Sequence, residues 1–279
     1  MTGVPPLFDR GLAAERRRRK RKPEPNILTR TIAEELAERL SFVNRSFATA
    51  CLIAAEPEAI AARLKETGQV QAIDTRTPSA GDDLGLPSDH YDALFSVLDL
   101  NGFNDVPGAL IQMRRALKPD GLLLACLFAG DTLTELRQSW HAAETIMAGG
   151  VSPRVAPMID VRELGGLLQR AGLALPVADL DRTIVRYADA VALIHEIREL
   201  GLSNFLSDRS RKPVTRGLLG AAVNAYQTNF CDADGRIRAT IEVAWITGWS
   251  PHESQQQPLK PGSAKARLAD ALKVEEKKL

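Results

Sequence analysis

Four short runs rich in apolar residues, at 47–53, 70–74, 93–98 and 122–128, alternate with segments patterned for helices at 57–66 and 107–117. This alternation constrains the fold more than any other feature of the chain. Three of the runs are almost continuously apolar, as strands covered on both faces must be. Helices between such strands imply a parallel sheet with right-handed crossovers. The expected fold class is therefore α/β, a doubly wound, mostly parallel sheet.

The flanks extend this pattern. A helix is expected over 27–40, with Ile32, Leu36 and Leu40 on one face. In KPDGLLLACLF (118–128), Pro119 blocks helix continuation and Asp120-Gly121 turns the chain into a buried strand. A long helix follows at 131–147, with Thr132 and Glu135 spaced as a capping box. Further helices fit 161–171, 190–200 and 215–230, and strands fit 183–187 and 237–247. The expected organisation is a basic extension at 1–25, an α/β domain at 26–250 with a helical insertion at about 188–232, and a polar tail at 251–279 with a charged helical end at 264–278.

At 279 residues, 44% hydrophobic and 25% charged, the chain has the composition of an ordinary folded domain, and its net charge of +1 gives no global attraction for nucleic acid. No apolar run is long enough to span a bilayer. Cys51, Cys126 and Cys231 are scattered without metal-ligand spacing, so no metal is expected, and a reducing compartment fits. The run RRRRKRK, from Arg16 to Lys22, is either a solvated lead-in or a contact for an acidic protein, RNA or anionic lipid surface.

Ligands of a doubly wound sheet bind beyond the carboxyl ends of its strands. The first such end is Ala54-Ala55-Glu56-Pro57-Glu58, a loop without glycine. Glycine there lets the backbone turn tightly against a ligand, whereas Glu56 and Glu58 suit the following helix's own dipole. Asp74 could accept both hydroxyls of a ribose, or simply form a turn. Asp82, Asp83 and Leu84 could face an adenine. Leu98 and Asp99 open a polar loop, LDLNGFND, in which Asn104 or Asp105 caps the next helix. Asp99 is the candidate catalytic base. His252, in PHESQQQ, sits in a dense polar loop; no nucleophile elbow, phosphate loop or HExxH motif occurs.

The stretches FDRGLAAERRRRKRK, NGFNDVPGALIQMRRALKPDGLLLACLFAGDTLTELRQSWHAAE, GGVSPRVAPMIDVRELGGLLQRAGL and ITGWSPHESQQQPLKPGSA resemble class I S-adenosylmethionine-dependent methyltransferases, and more specifically the methyltransferase-fold assembly factors of respiratory complex I. The resemblance implies a seven-stranded Rossmann-like sheet with S-adenosylmethionine over Ala54, Glu56, Asp74, Asp82, Asp83, Leu84 and Leu98. It also implies a protein partner, an iron–sulphur subunit of complex I, whose arginine the mitochondrial member hydroxylates. The location would be the bacterial cytoplasm, or the matrix side of a mitochondrion. The chain departs from the family at the first loop, where Asp-Leu-Gly-x-Gly-x-Gly maps onto Leu52 to Glu58 with neither the acid nor any glycine. The family's His-Trp pair maps onto Asn101 and Gly102. These departures weaken the expected grip on the cofactor. Three readings stay open: an active methyltransferase on a protein substrate, a binding or assembly module on the same fold, and another adenine-nucleotide or oxygenase-like activity.

Overall fold

A computed structural model describes residues 5–20 and 27–256. Two helices, α1 (Arg10–Lys20) and α2 (Ile27–Ser41), precede β1 (Phe47–Ala54), α3 (Pro57–Glu66), β2 (Val70–Arg76) and β3 (Tyr91–Val97). A 3₁₀ turn at Leu100–Gly102 leads to α4 (Val106–Ala116) and β4 (Leu117–Phe128). Then come α5 (Thr134–Met147), α6 (Val161–Arg170), β5 (Ala174–Tyr187), α7 (Ala190–Glu199), α8 (Arg216–Phe230) and β6 (Ile237–Trp249).

The strands form one sheet in the order β2-β1-β3-β4-β6-β5. Among the described strands only β6 runs against the others, pairing antiparallel with both β4 and β5. The α/β class and mostly parallel sheet are therefore as expected. Six strands pair among the described residues, and the seventh that the resemblance implies is not among them. The order reverses at β1, with β2 on one side and β3 on the other. That reversal opens a crevice at the carboxyl ends of β1 and β3.

Both faces of the sheet are covered. On one, Leu110 and Met113 of α4 and Leu164 and Leu168 of α6 pack on Leu94, Leu123 and Ile246. On the other, Leu36 and Leu40 of α2 and Ile60 and Leu64 of α3 pack on Leu52, Phe95 and Leu124. Beyond this, α5, α7 and α8 gather Leu136, Trp140, Leu193 and Tyr226 over Ile237 and Ala239 of β6.

Three local expectations differ from the structure. β5 begins at Ala174, well before 183, and pairs with β6 along its length. Its edge position leaves Leu175, Val177, Leu180 and Ile184 exposed, so no clean in-out alternation marked it. α5 begins at Thr134, and the Thr132–Glu135 capping box does not form. Thr132 instead donates to the Ala129 and Glu242 carbonyls, while Glu135 accepts from Thr240 of β6. Tertiary partners outcompete the local cap. Asp120 does take a left-handed backbone, φ 62°, but inside β4 rather than before it. The expected helix at 264–278 lies outside the described residues, as do Lys22 and the tail from 257.

Candidate functional site

At the end of β1, Ala54 is buried and Ala55 exposed, and Glu56 occupies the N-cap of α3 with no side-chain cap bond. Pro57, buried, takes the first helical position, where its missing N–H costs nothing. Nothing in this bend has a glycine's freedom to receive a ligand against bare backbone.

Asp74 lies in β2 opposite Cys51. Its carboxylate accepts from the Tyr91 hydroxyl at 2.6 Å and from Arg76 Nε at 3.2 Å. The Tyr91 bond, aided by Arg76 and only partly offset by burial, holds Asp74 below the usual carboxylate range. Burial and the same bond push the Tyr91 hydroxyl up to about 12. Asp82 is engaged as well: its carboxylate lies 3.4 Å from Arg10 Nε and its carbonyl accepts from Gln112 Nε2. Asp83 accepts from the Gly85 N–H, and the N–H of buried Leu84 donates to Gln112 Oε1 at 2.9 Å. A hollow of about 400 Å³ remains here, lined by Ile53, Thr75, Arg76, Thr77, Ser79 and Leu84.

The end of β3 carries the most unusual geometry. Leu98 sits in the left-handed region at φ 53°, rare for a branched side chain, and its N–H donates to the Cys126 carbonyl of β4. Asp99 follows, 0% exposed, with no hydrogen bond to either carboxylate oxygen. Its counter-charges come from α1: Arg10 and Arg17 each place a guanidinium nitrogen 3.6 Å from Oδ1. Burial raises the Asp99 pKa, against the pull of the two arginines. Arg10 also donates to the Gly81 and Ser79 carbonyls and stacks on the Phe103 ring, 3.6 Å from its centroid.

Asn101 and Gly102 have structural work of their own. The Asn101 amide bonds the Phe128 backbone in both directions, at 2.7 and 2.8 Å, tying the end of β3 to that of β4. A Cβ on Gly102 would come within 3.3 Å of the Phe205 ring and 3.6 Å of Arg10. Absence of a side chain there lets Phe205 and α1 close on the crevice. The N-terminal segment is further hooked on by Phe8, whose N–H donates to Asn104 Oδ1, and by Asp9, whose N–H donates to the Phe205 carbonyl. Asp105 caps α4 through the Gly108 N–H.

The basic run divides. Arg16 donates to the Ser203 and Asn204 carbonyls, and Arg17 faces Asp99. Arg18 and Arg19 point outward. Sequence reasoning did not foresee Arg10 and Arg17 as inward groups. The available signal was their spacing, seven residues apart with buried Ala13 between them, which puts all three on one side of the helix. His252 is remote from the crevice. Its Nδ1 lies 2.7 Å from Ser254 Oγ, and its loop is held at the opposite edge of the sheet, where Gln255 donates to Asp120 and Ser250 pairs with Gly121. No group of three or more metal-binding side chains occurs among the described residues.

A reversing parallel sheet with one antiparallel strand and its crevice beyond β1 and β3 defines a class I methyltransferase fold. The family of the Methyltransferase domain matches residues 16–125. The chain is 33% identical over 290 residues to the arginine-hydroxylase NDUFAF5, mitochondrial, of Rattus norvegicus, covering 96% of this chain and 84% of that one. Its human counterpart is 31% identical with the same coverage. The malonyl-[acyl-carrier protein] O-methyltransferase of Xylella fastidiosa is 34% identical over 57% of this chain and 52% of its own. A solved putative methyltransferase from Bacillus halodurans superposes with a TM-score of 0.49 at 10% identity, over 79% of this chain and 99% of that one. The chain belongs to the family of methyltransferase-fold complex I assembly factors that includes the NDUFAF5 proteins.

The fold is one that binds S-adenosylmethionine. The first bend lacks glycine, and Asp74, Asp82, Asp83, the Leu84 N–H and Asp99 each already have a partner within the chain.

Proposed function

We propose that this chain is an assembly factor whose methyltransferase sheet scaffolds a protein partner, with the crevice at the end of β3 closed by its own N-terminal helix. One observation carries the reading: Asp99, the buried acid at the end of β3, is neutralised by Arg10 and Arg17 of α1. A buried carboxylate needs such compensation, and with two arginines supplying it no ligand is required there. The partner assigned is a subunit of respiratory complex I, an iron–sulphur subunit, in the bacterial cytoplasm or on the matrix side of a mitochondrion. The family relationship supports that assignment. Outward Arg18 and Arg19, and the exposed Ile146, Met147 and Val151 around the end of α5, are the contact groups this reading favours.

Isothermal titration of the full chain with S-adenosylmethionine and S-adenosylhomocysteine is the test. No heat of binding is expected up to millimolar ligand. Micromolar binding that Asp74→Ala abolishes would overturn the reading. For the partner surface, Arg18→Glu with Arg19→Glu is expected to lower recovery of the subunit in a pull-down; unchanged recovery removes the basic contact.

A second reading, an enzyme that modifies an arginine of that partner, is favoured by the name of the NDUFAF5 relatives, arginine-hydroxylase. A mass shift on a partner arginine, seen only after incubation with this chain, would select it.

A further inference from the structure

We propose that a second cavity, of about 610 Å³, binds a neutral and largely apolar small molecule of lipid-like chemistry. It lies over β5 and β6, between α2 on one side and α7 on the other, and its walls include Leu98, Phe128, Val185, Ile197, Ile241 and Trp245. Its volume falls in the range of small-molecule sites, about 300–1,000 Å³. The cavity adjoins the crevice, with Arg17, Leu98 and Asn101 common to both.

The chemistry of the lining selects the ligand. Three guanidiniums reach the cavity, Arg17, Arg154 and Arg182, against three carboxylates, Glu35, Asp181 and Glu196, so the formal charges cancel. Five of the six are already engaged. Arg17 faces Asp99, Arg154 donates to Glu144, and Arg182 lies 3.3 Å from Glu242. Arg39 holds both Glu35 and Asp181. Among the other polar linings, Asn101 and Thr132 are spent on backbone groups. With no net charge in the lining, a charged ligand would lose its hydration for little return. Water molecules, which need two to four polar partners each, are equally poorly served. Apolar burial is the gain these walls offer.

The test uses the full chain and the neutral apolar fluorophore N-phenyl-1-naphthylamine. Saturable fluorescence enhancement is expected, reversed by 1-decanol, with decanoate about tenfold weaker as a competitor because its charge must be desolvated. Ile197→Trp and, at Val243 of β6, which also lines the cavity, Val243→Phe each place bulk in it and are expected to weaken probe binding about tenfold or more. Ile184→Trp, on exposed β5 surface outside the lining, is the control and should leave binding unchanged. Circular dichroism of each variant verifies folding, and the two filling sites stand in for one another if either unfolds. Non-saturable enhancement, binding indifferent to both filled variants, or a preference for decanoate would overturn the proposal.

Discussion

Asp99 is buried with no hydrogen-bond donor of its own, so its charge is sustained by two arginines of α1. Asp99→Asn leaves both guanidiniums, at 5% and 14% side-chain exposure, facing a neutral amide. Breaking a buried pair in this way costs about 3 kcal/mol. Urea unfolding should show that loss as a lower midpoint at unchanged slope; a change below about 0.5 kcal/mol would mean the acid does not hold α1. Gly130 makes a second prediction at this scale. It has φ 49°, and a Cβ there would collide with Glu242 Oε2, which accepts the Asp131 N–H. Gly130→Ala therefore combines backbone strain with displacement of a buried carboxylate, for an expected loss of about 1–3 kcal/mol in the same assay. Nothing in the sequence singled out this glycine, since its constraint comes from a strand far along the chain.

Among the elements, α5 shows how local pattern and tertiary partner divide the work. Its apolar spacing, Leu136 and Trp140, was legible and does face the core. Its cap was misread because Thr132 and Glu135 found partners on β6. Near its other end, buried Glu144 is pushed up by burial but pulled further down by the Ser152 N–H, Arg154 and the Ser152 hydroxyl, so its net pKa is lowered. A group lowered on folding contributes stability above its unfolded value, about 4.3, and loses it as pH falls through the folded value. Glu144→Gln should reduce stability at pH 7 and flatten the acid limb of a stability-against-pH curve. An acid limb identical to that of the parent chain would show that Glu144 is not a source of it.

For the molecule as a whole, the question is whether the crevice takes its expected cofactor. Binding stabilises by RT ln(1 + [L]/Kd), so 1 mM S-adenosylmethionine at a Kd of 1 mM or weaker adds at most about 0.4 kcal/mol. For a domain of this size that is a melting shift of about 1 °C. Thermal unfolding should therefore be nearly indifferent to the cofactor, and a shift of several degrees would contradict the proposed function. The sheet also separates two surfaces. α1 closes on the carboxyl edge, while the loop at His252 is fastened to Asp120 at the other.

Strand and helix order along residues 47–128 was readable because buried parallel strands must be continuously apolar, and the Pro and Gly punctuation there acts locally. The missing glycines of the first bend were equally plain, since that constraint belongs to the residues themselves. Which charges meet was decided only in three dimensions. Asp74 chose Tyr91, Asp99 chose Arg10 and Arg17, and Asn101 bridged two strand ends, because a buried polar group takes whichever partner the packing brings within reach, and sequence separation sets no limit on that.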